Sequence, residues 1–147
     1  MKAIVYRDNG GPDVLELVDR EPAAPGPGQV RVRVAVSGVN PTDWKTRSGA
    51  TNPKLYAEVT PGLDGAGVID AVGPGEDESR IGRRVWLFLA GAALQVGTVA
   101  ESIVVPSDRA VPLSVNRGRA VVSDDPRSRA ARSLMSVSRS LVAVVGR

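Results

Sequence analysis

Residues that could do chemistry lie in two polar, glycine-bearing segments, 36–49 and 61–73. The candidate side chains there are one amide, two carboxylates, one indole and one ammonium group: Asn40, Asp43, Asp64, Trp44 and Lys45. The chain contains no Cys and no His. A thiolate nucleophile, an imidazole base and a His/Cys metal site are therefore excluded. Zinc catalysis, Ser-His-Asp hydrolysis and Cys-His chemistry are excluded together.

The second segment has a glycine pattern, Gly62, Gly65 and Gly67, that also occurs in dinucleotide-binding loops. Such a loop joins a strand to a long helix that crosses over to a parallel strand. No helix pattern of that length follows here, so we reject a dinucleotide loop. We interpret these glycines as positions of close backbone packing where strands cross at the corners of a barrel.

The elements that must position these residues are short β-branched segments at intervals of roughly ten residues. Turn formers are frequent, with 16 Gly and 11 Pro among 147 residues. We predict a mainly β fold, a small and partly open barrel with short helical turns. Segment 40–49 is predicted as a loop or helical turn, with Asn40 as N-cap and Pro41 first in the helix. The predicted strands, of which the first two form a hairpin, are Lys2–Tyr6, Val14–Val18, Val30–Val36, Val68–Val72, Val85–Leu89 and Ile103–Val105.

Segment 30–36 shows the clearest alternation in the chain. Residues two apart in a strand share one face of the sheet. The pattern predicts a half-buried antiparallel strand with its valines inward and its arginines towards solvent: Val30, Val32, Val34 and Val36 against Arg31 and Arg33.

Segment 117–147 differs in composition from the rest of the chain. Residues 1–116 contain 12 Lys and Arg and 14 Asp and Glu, whereas residues 117–147 contain 7 Arg and 2 Asp. All aromatic residues lie before residue 89. The net charge of +3 is therefore set by the last segment. We predict a domain over 1–113 and an Arg/Ser-rich tail over 114–147.

Three interpretations of the tail stay open. It is typical of out-of-frame translation of a GC-rich gene, and this favours a truncated or frameshifted protein with a disordered or loosely packed tail. It also allows an amphipathic helix that binds an anionic membrane, RNA or a partner protein, with Ala131, Leu134, Met135, Leu141, Val142 and Val145 on one face. The final residues, 141–147, have a weak similarity to the first strand of a Rossmann domain.

Several short motifs together resemble a known family in both content and order. The family is the N-terminal GroES-like domain of the medium-chain dehydrogenase/reductase superfamily, and the most similar branch is the zinc-free quinone oxidoreductase (zeta-crystallin-like) group. The resemblance covers about residues 1–113, with departures at Val99 and Ser102, where the family often has aromatic residues. The matching segments are Gly10–Leu17, Pro25–Val30, Gly38–Asp43, Pro61–Val68, Gly82–Trp86, Gly97–Glu101 and Val105–Pro106.

This resemblance implies that NADPH delivers a hydride to a quinone or an activated alkene, and that the protein mainly positions both partners. It implies that Asn40 lies near the nicotinamide and the substrate and that Asp43, Trp44 and Lys45 edge the cleft. Asp64 would occupy the region of the metal ligands of zinc-dependent relatives, and the residues at those positions here cannot rebuild a tetrahedral zinc site. The alternatives are a helix cap for Asn40, packing in the core or in a cleft wall for Trp44, a solvated charge for Lys45 and a turn for Asp64.

The family also has a Rossmann domain and a return segment, and we find no match for either after Pro112. We therefore expect a chain without a Rossmann domain that does not bind NADP(H) alone and is inactive alone. The alternative is a non-enzymatic binding module that uses the barrel and the basic tail. We expect a cytoplasmic protein with no membrane span, no nucleic-acid partner and a homodimer as one allowed assembly.

Overall fold

The structure is a computed structural model that describes residues 1–51, 56–91, 95–113 and 142–143, the last pair by backbone alone. Within these ranges the chain is mainly β, with one short α-helix and three 3₁₀ turns, at Pro12–Val14, Glu78–Arg80 and Ser107–Arg109. The strands and the helix are β1 Lys2–Val5, β2 Glu16–Asp19, β3 Gln29–Gly38, α1 Pro41–Ser48, β4 Gly65–Val72, β5 Arg84–Leu87, β6 Ser102–Pro106, β7 Ala110–Pro112 and β8 Val142–Ala143.

The main sheet has the strand order β6-β3-β4-β5-β7, and β8 pairs with the end of β3. The β1–β2 pair forms a separate two-stranded sheet. It contacts the segment before β6, where Ile4 donates to the carbonyl of Val99 and Glu101 donates to that of Lys2, both at 2.9 Å. The result is a curled half-barrel, so the predicted mainly β, partly open barrel with short helical turns is confirmed. Every strand pair in the described part of the chain is antiparallel, unlike the parallel sheet of a Rossmann domain.

The core lies inside the curl and is built from small and branched aliphatic side chains. Burial of one such side chain stabilises the fold by about 1.5–3 kcal/mol. The core cluster consists of Val30, Val32, Ile69, Val85, Leu87, Ala90, Ile103, Val105 and Ala110.

Strand β3 is longer than predicted and contains two irregularities in its pairing with β4. The inward face is confirmed for Val30 and Val32, which are fully buried, whereas Val34 and Val36 are half-buried. The register shifts between Arg31 and Val32 and again between Val34 and Val36. The first extra residue is Asp70 of β4 and the second is Ala35 of β3, so only the second changes the face that the following side chains of β3 occupy. Ser37 is therefore buried, although simple alternation from Val30 places it outward.

The two arginines of β3 do not share one environment. Arg33 is exposed, as predicted. Arg31 is half-buried and forms an ion pair with Asp70 at 2.9 Å. The prediction of a simply solvated face is therefore wrong for Arg31.

The predicted hairpin of the first two strands is confirmed by the antiparallel pairing of β1 with β2. Its second strand starts later than predicted, because Val14 belongs to a 3₁₀ turn. Strand β5 ends at Leu87, before Leu89 takes a positive φ of 50°. Strand β7 was not predicted, because three residues are too few to show alternation.

Close backbone packing is confirmed at Gly65 and Gly67 and is also seen at Gly73. A Cβ atom on Gly67 would lie 2.1 Å from the carbonyl oxygen of Arg33, and one on Gly73 would lie 1.7 Å from that of Gly26. Only glycine allows the neighbouring backbone to approach so closely.

Only residues 142–143 of the predicted tail are described. They form β8, which pairs antiparallel with Ser37 and Gly38. The amphipathic-helix interpretation is therefore wrong at Val142, and the antiparallel pairing differs from that of a first Rossmann strand. The other residues of both interpretations lie outside the described residues.

No helix in the described ranges is long and apolar enough to cross a membrane.

Candidate functional site

Helix α1 has a defined start and end, and its start places the candidate residues. Asn40 is the N-cap with extended backbone, Pro41 is the first helical residue, and Gly49 ends the helix with a positive φ of 81°. The predicted helical turn and its cap are confirmed. Proline suits this first position because its missing N–H would have no partner inside the helix.

Asp43 connects the start of α1 to the loop before β4. Its Oδ2 accepts a hydrogen bond from the backbone N–H of Asn40 at 2.7 Å, and its Oδ1 accepts one from Gly62 at 3.1 Å. Burial raises the pKa of Asp43, the two backbone donors oppose this rise, and the nearby charge of Asp64 adds to it. Both oxygens accept hydrogen bonds from backbone N–H groups, so Asp43 holds the start of α1 against the loop before β4.

Asn40 and Asp64 form the second half of this cluster. The side-chain nitrogen of Asn40 donates to Asp64 Oδ1 at 2.8 Å. An ionised carboxylate can only accept, so this bond fixes which end of the amide is nitrogen. Within the described residues, no hydrogen-bond partner is seen for Asp64 Oδ2 or for the second N–H of the Asn40 amide. The amide and the carboxylate thus keep unused capacity for a ligand.

Two hydroxyl groups form a hydrogen-bonded chain that ends at the backbone carbonyl of Asp64, and neither was predicted from the sequence. Thr98 Oγ1 donates to the backbone carbonyl of Asp64 at 2.7 Å and lies 2.8 Å from Ser37 Oγ. Thr98 is fully buried and Ser37 is 4% exposed. No alternation pattern could have found them, because a bulge decides the burial of Ser37 and Thr98 lies in an irregular segment.

Gly38 provides the space that Asp64 needs. A Cβ atom at this position would lie 2.1 Å from Asp64 Oδ1. The backbone N–H of Gly38 also donates to the carbonyl oxygen of Asp64 at 2.9 Å. The end of β3 therefore contacts Asp64 at both its backbone and its side chain.

Trp44 and Lys45 lie on the outer side of α1. Trp44 is 51% exposed, so the alternative of core packing is wrong for it. Trp44 follows the N-cap Asn40 by one turn of α1. The amine of Lys45 lies 5.7 Å from the centroid of the indole ring. The predicted place of both residues at a cleft edge stays a prediction.

A groove of about 750 Å³ lies on another side of the hydroxyl pair. It runs between β1 and β3, and its lining includes Ile4, Val34 and Val36 as well as Ser37 and Thr98. None of the five predicted site residues lines it. The Asn40–Asp43–Asp64 cluster and this groove are therefore separate features that share the two hydroxyls.

Asp43 and Asp64 do not belong to a group of metal ligands in the described part of the chain. No three residues among His, Cys, Asp and Glu come together there in a way that could hold a metal ion.

Residues 26–115 match the family model described as "Alcohol dehydrogenase GroES-like domain". The chain belongs to this family. The curled antiparallel sheet with one short helix is thus a GroES-like domain, and the resemblance to the quinone oxidoreductase branch of the medium-chain dehydrogenase/reductase superfamily is confirmed.

Two curated relatives illustrate the similarity of the GroES-like domain. The synaptic vesicle membrane protein VAT-1 homolog of Rattus norvegicus is 38% identical over 109 residues, which are 73% of this chain and 26% of that protein. The quinone oxidoreductase of Rattus norvegicus is 37% identical over 109 residues, 72% of this chain and 33% of that protein. The chain spans about a quarter to a third of the length of these relatives.

Two solved structures show a similar fold over most of this chain. A quinone oxidoreductase of Pseudomonas syringae pv. Tomato DC3000 is 37% identical with a TM-score of 0.69, covering 81% of this chain and 36% of that one. A mycobacterial protein complexed with NADPH is 30% identical with a TM-score of 0.68, covering 95% of this chain and 42% of that one.

Proposed function

We propose that this GroES-like domain forms the substrate side of an NADPH-dependent oxidoreductase that transfers a hydride to a quinone or an activated alkene. The observation that carries this proposal is the Asn40 amide, held by Asp64 at the start of α1, one helical turn before the exposed Trp44. Support also comes from relatives described as quinone oxidoreductases and from a similar protein complexed with NADPH.

In this proposal Asn40 binds the carbonyl oxygen of the substrate. One N–H of its amide is used by Asp64, and the second N–H is available to donate. A fixed donor at a carbonyl oxygen stabilises the negative charge that develops there when the ring or alkene accepts a hydride. The exposed face of Trp44 would pack against the flat ring of a quinone.

NADPH supplies the hydride when it is bound. By family resemblance Asn40 would lie near its nicotinamide end. The described residues contain no succession of strand, glycine-rich loop and helix of the kind that holds a pyrophosphate. We therefore derive no step for that end of the cofactor. NADP(H) as the cofactor of the whole protein, the lack of NADP(H) binding by this chain alone, its inactivity alone, a cytoplasmic location and a homodimer stay predictions.

The test is oxidation of NADPH in the presence of 1,4-benzoquinone, with two variants of neighbouring residues. Asn40→Ala removes the proposed donor, and we expect any quinone-dependent rate to fall about a hundredfold, as for other donors to a developing oxyanion. Thr42→Ala is the matched control, because Thr42 is an exposed residue of the same helix. Equal rates for Asn40→Ala and the parent chain would contradict the proposal. If the parent chain has no activity alone, the quinone titration described at the end of the Discussion decides.

A further inference from the structure

We propose that Thr98 and Ser37 are positioning residues, which fix Asp64 and through it the amide of Asn40. The proposal rests on the proposed function in one respect, namely that Asn40 contacts the substrate. Thr98 lies inside the matching segment Gly97–Glu101, but the family resemblance assigns a role to neither hydroxyl.

The two hydroxyls form a chain of hydrogen bonds in which each donates towards Asp64. The carbonyl oxygen of Asp64 can only accept, so Thr98 uses its single O–H on this oxygen at 2.7 Å. Ser37 must then be the donor in the 2.8 Å contact between the two hydroxyls. The other contact of Ser37, to the carbonyl of Gly38, is longer at 3.4 Å. The resulting chain runs from Ser37 to Thr98 to Asp64, and bonds in such a chain strengthen each other.

Burial makes this chain costly to break. Thr98 is fully buried and Ser37 nearly so, so water cannot replace a lost partner for either hydroxyl. A buried polar group without a partner costs more than its hydrogen bond contributes, since it also loses its hydration. The native arrangement is therefore strongly preferred over one in which the segment around Asp64 shifts.

The surrounding backbone leaves little room for adjustment. Gly62 takes a φ of +104°, and a Cβ atom there would lie 2.4 Å from Thr98 Oγ1. The N–H of Thr98 donates to the carbonyl of Gly62 at 3.1 Å, and the N–H of Gly38 is the second donor to the carbonyl of Asp64. Backbone and hydroxyl contacts from two chain segments thus converge on the residue whose carboxylate holds Asn40.

The experiment follows the side-chain amide of Asn40 by NMR in the full chain. Thr98→Val keeps the shape of the side chain and removes the hydroxyl. We expect proton exchange of the Asn40 amide to become about tenfold faster, because one net hydrogen bond corresponds to about a factor of ten. We also expect its donated proton to move upfield. Thr98→Ser should restore both values, and Ser37→Ala should change them in the same direction to a smaller extent.

The control is Val105→Ala, which removes methyl groups from a fully buried core position of β6 and leaves the hydroxyl chain intact. It destabilises the fold without touching Asp64, so the Asn40 signals should stay in place. Unchanged Asn40 signals in both Thr98→Val and Ser37→Ala would overturn the proposal, as would an equal change in Val105→Ala. If Thr98→Val does not fold, Ser37→Ala decides, and unchanged Asn40 signals in that variant would then overturn the proposal. The readout needs no turnover, so a failure of the proposed function would leave the result unaffected.

Discussion

The amide of Asn40 has one orientation because its nitrogen donates to a carboxylate. Without Asp64 either end of an amide could face a ligand. A hydrogen bond to a charged acceptor contributes about 1.5–3 kcal/mol, which is enough to select one of the two orientations. Asp64 therefore determines that an N–H of Asn40 is available to a carbonyl oxygen.

Gly38→Ala tests this role of Asp64. The new methyl group would lie 2.1 Å from Asp64 Oδ1, so the carboxylate has to move and its bond to Asn40 is lost. The displaced atoms belong to a side chain that regains part of its hydration, so we expect a loss of about 1–2 kcal/mol in the free energy of unfolding. The measurements are chemical denaturation and the NMR signals of the Asn40 amide.

Gly67→Ala is the matched control. There the new methyl group would lie 2.1 Å from the backbone oxygen of Arg33, and backbone cannot yield so easily. We expect a loss of about 1–3 kcal/mol or more, since overpacking forces backbone shifts. If Gly38→Ala were the more destabilising of the two, or left the Asn40 signals unchanged, the account of the Asp64 site would be wrong.

At the residue scale the sequence predicted part of this site. Asn40, Asp43 and Asp64 were predicted by their motif positions, and the structure places them in one hydrogen-bonded cluster. Ser37 and Thr98 could not be predicted, because their burial depends on a bulge and on a non-local contact between residues 61 positions apart. A short sequence motif shows neither the bulge nor the contact.

At the scale of elements, α1 is held at both ends. Asp43 ties its start to Gly62, and the side chain of Asn9 donates to the carbonyls of Thr46 and Arg47 near its end. Both contacts join the helix to loops that are distant from it in the sequence. The position of the helix that carries Asn40 therefore depends on loops and not on a packed apolar face, since none of its residues is fully buried.

The loop that carries Gly62 is itself tied to the β1–β2 pair through Glu58. This carboxylate pairs with Arg7 at 2.7 Å and with Arg20, and its side chain is only 18% exposed. The neighbouring residue, Val59, exchanges two backbone hydrogen bonds with Tyr6. Glu58 thus connects the first two strands to the segment that leads to the site.

Glu58→Gln should lower the melting temperature by about 2–4 °C, because a paired charge of this kind contributes about 1 kcal/mol. The difference should shrink in 1 M salt, where charges are screened within about 3 Å. The control is Asp19→Asn, which breaks the far more exposed pair with Lys2 and should change little. Similar melting temperatures for parent and Glu58→Gln, or a larger drop for Asp19→Asn, would rule out the connecting role.

At the scale of the whole molecule the fold follows from alternation and turn formers. Val30 and Val32 point inward as predicted. The sheet curls where glycines such as Gly67 and Gly73 allow neighbouring backbone to approach closely. The boundaries were less predictable, since β7 has three residues and the extension of β4 to Gly65 begins in a glycine-rich segment. Pairing partners that are distant in sequence, as for β8 with β3, leave no local signal.

The central claim is that the Asn40–Asp64 cluster binds the carbonyl substrate, and titration of the chain with 1,4-benzoquinone tests it most directly. The titration is followed by NMR at the Asn40 amide and at the indole N–H groups. The chain has two Trp residues, so Trp86, which packs against Phe88, serves as an internal control for Trp44. The account predicts saturable shifts at Asn40 and Trp44 that are absent at Trp86 and lost in Asn40→Ala. Shifts of equal size at Trp86, or no saturable shift at Asn40, would contradict it.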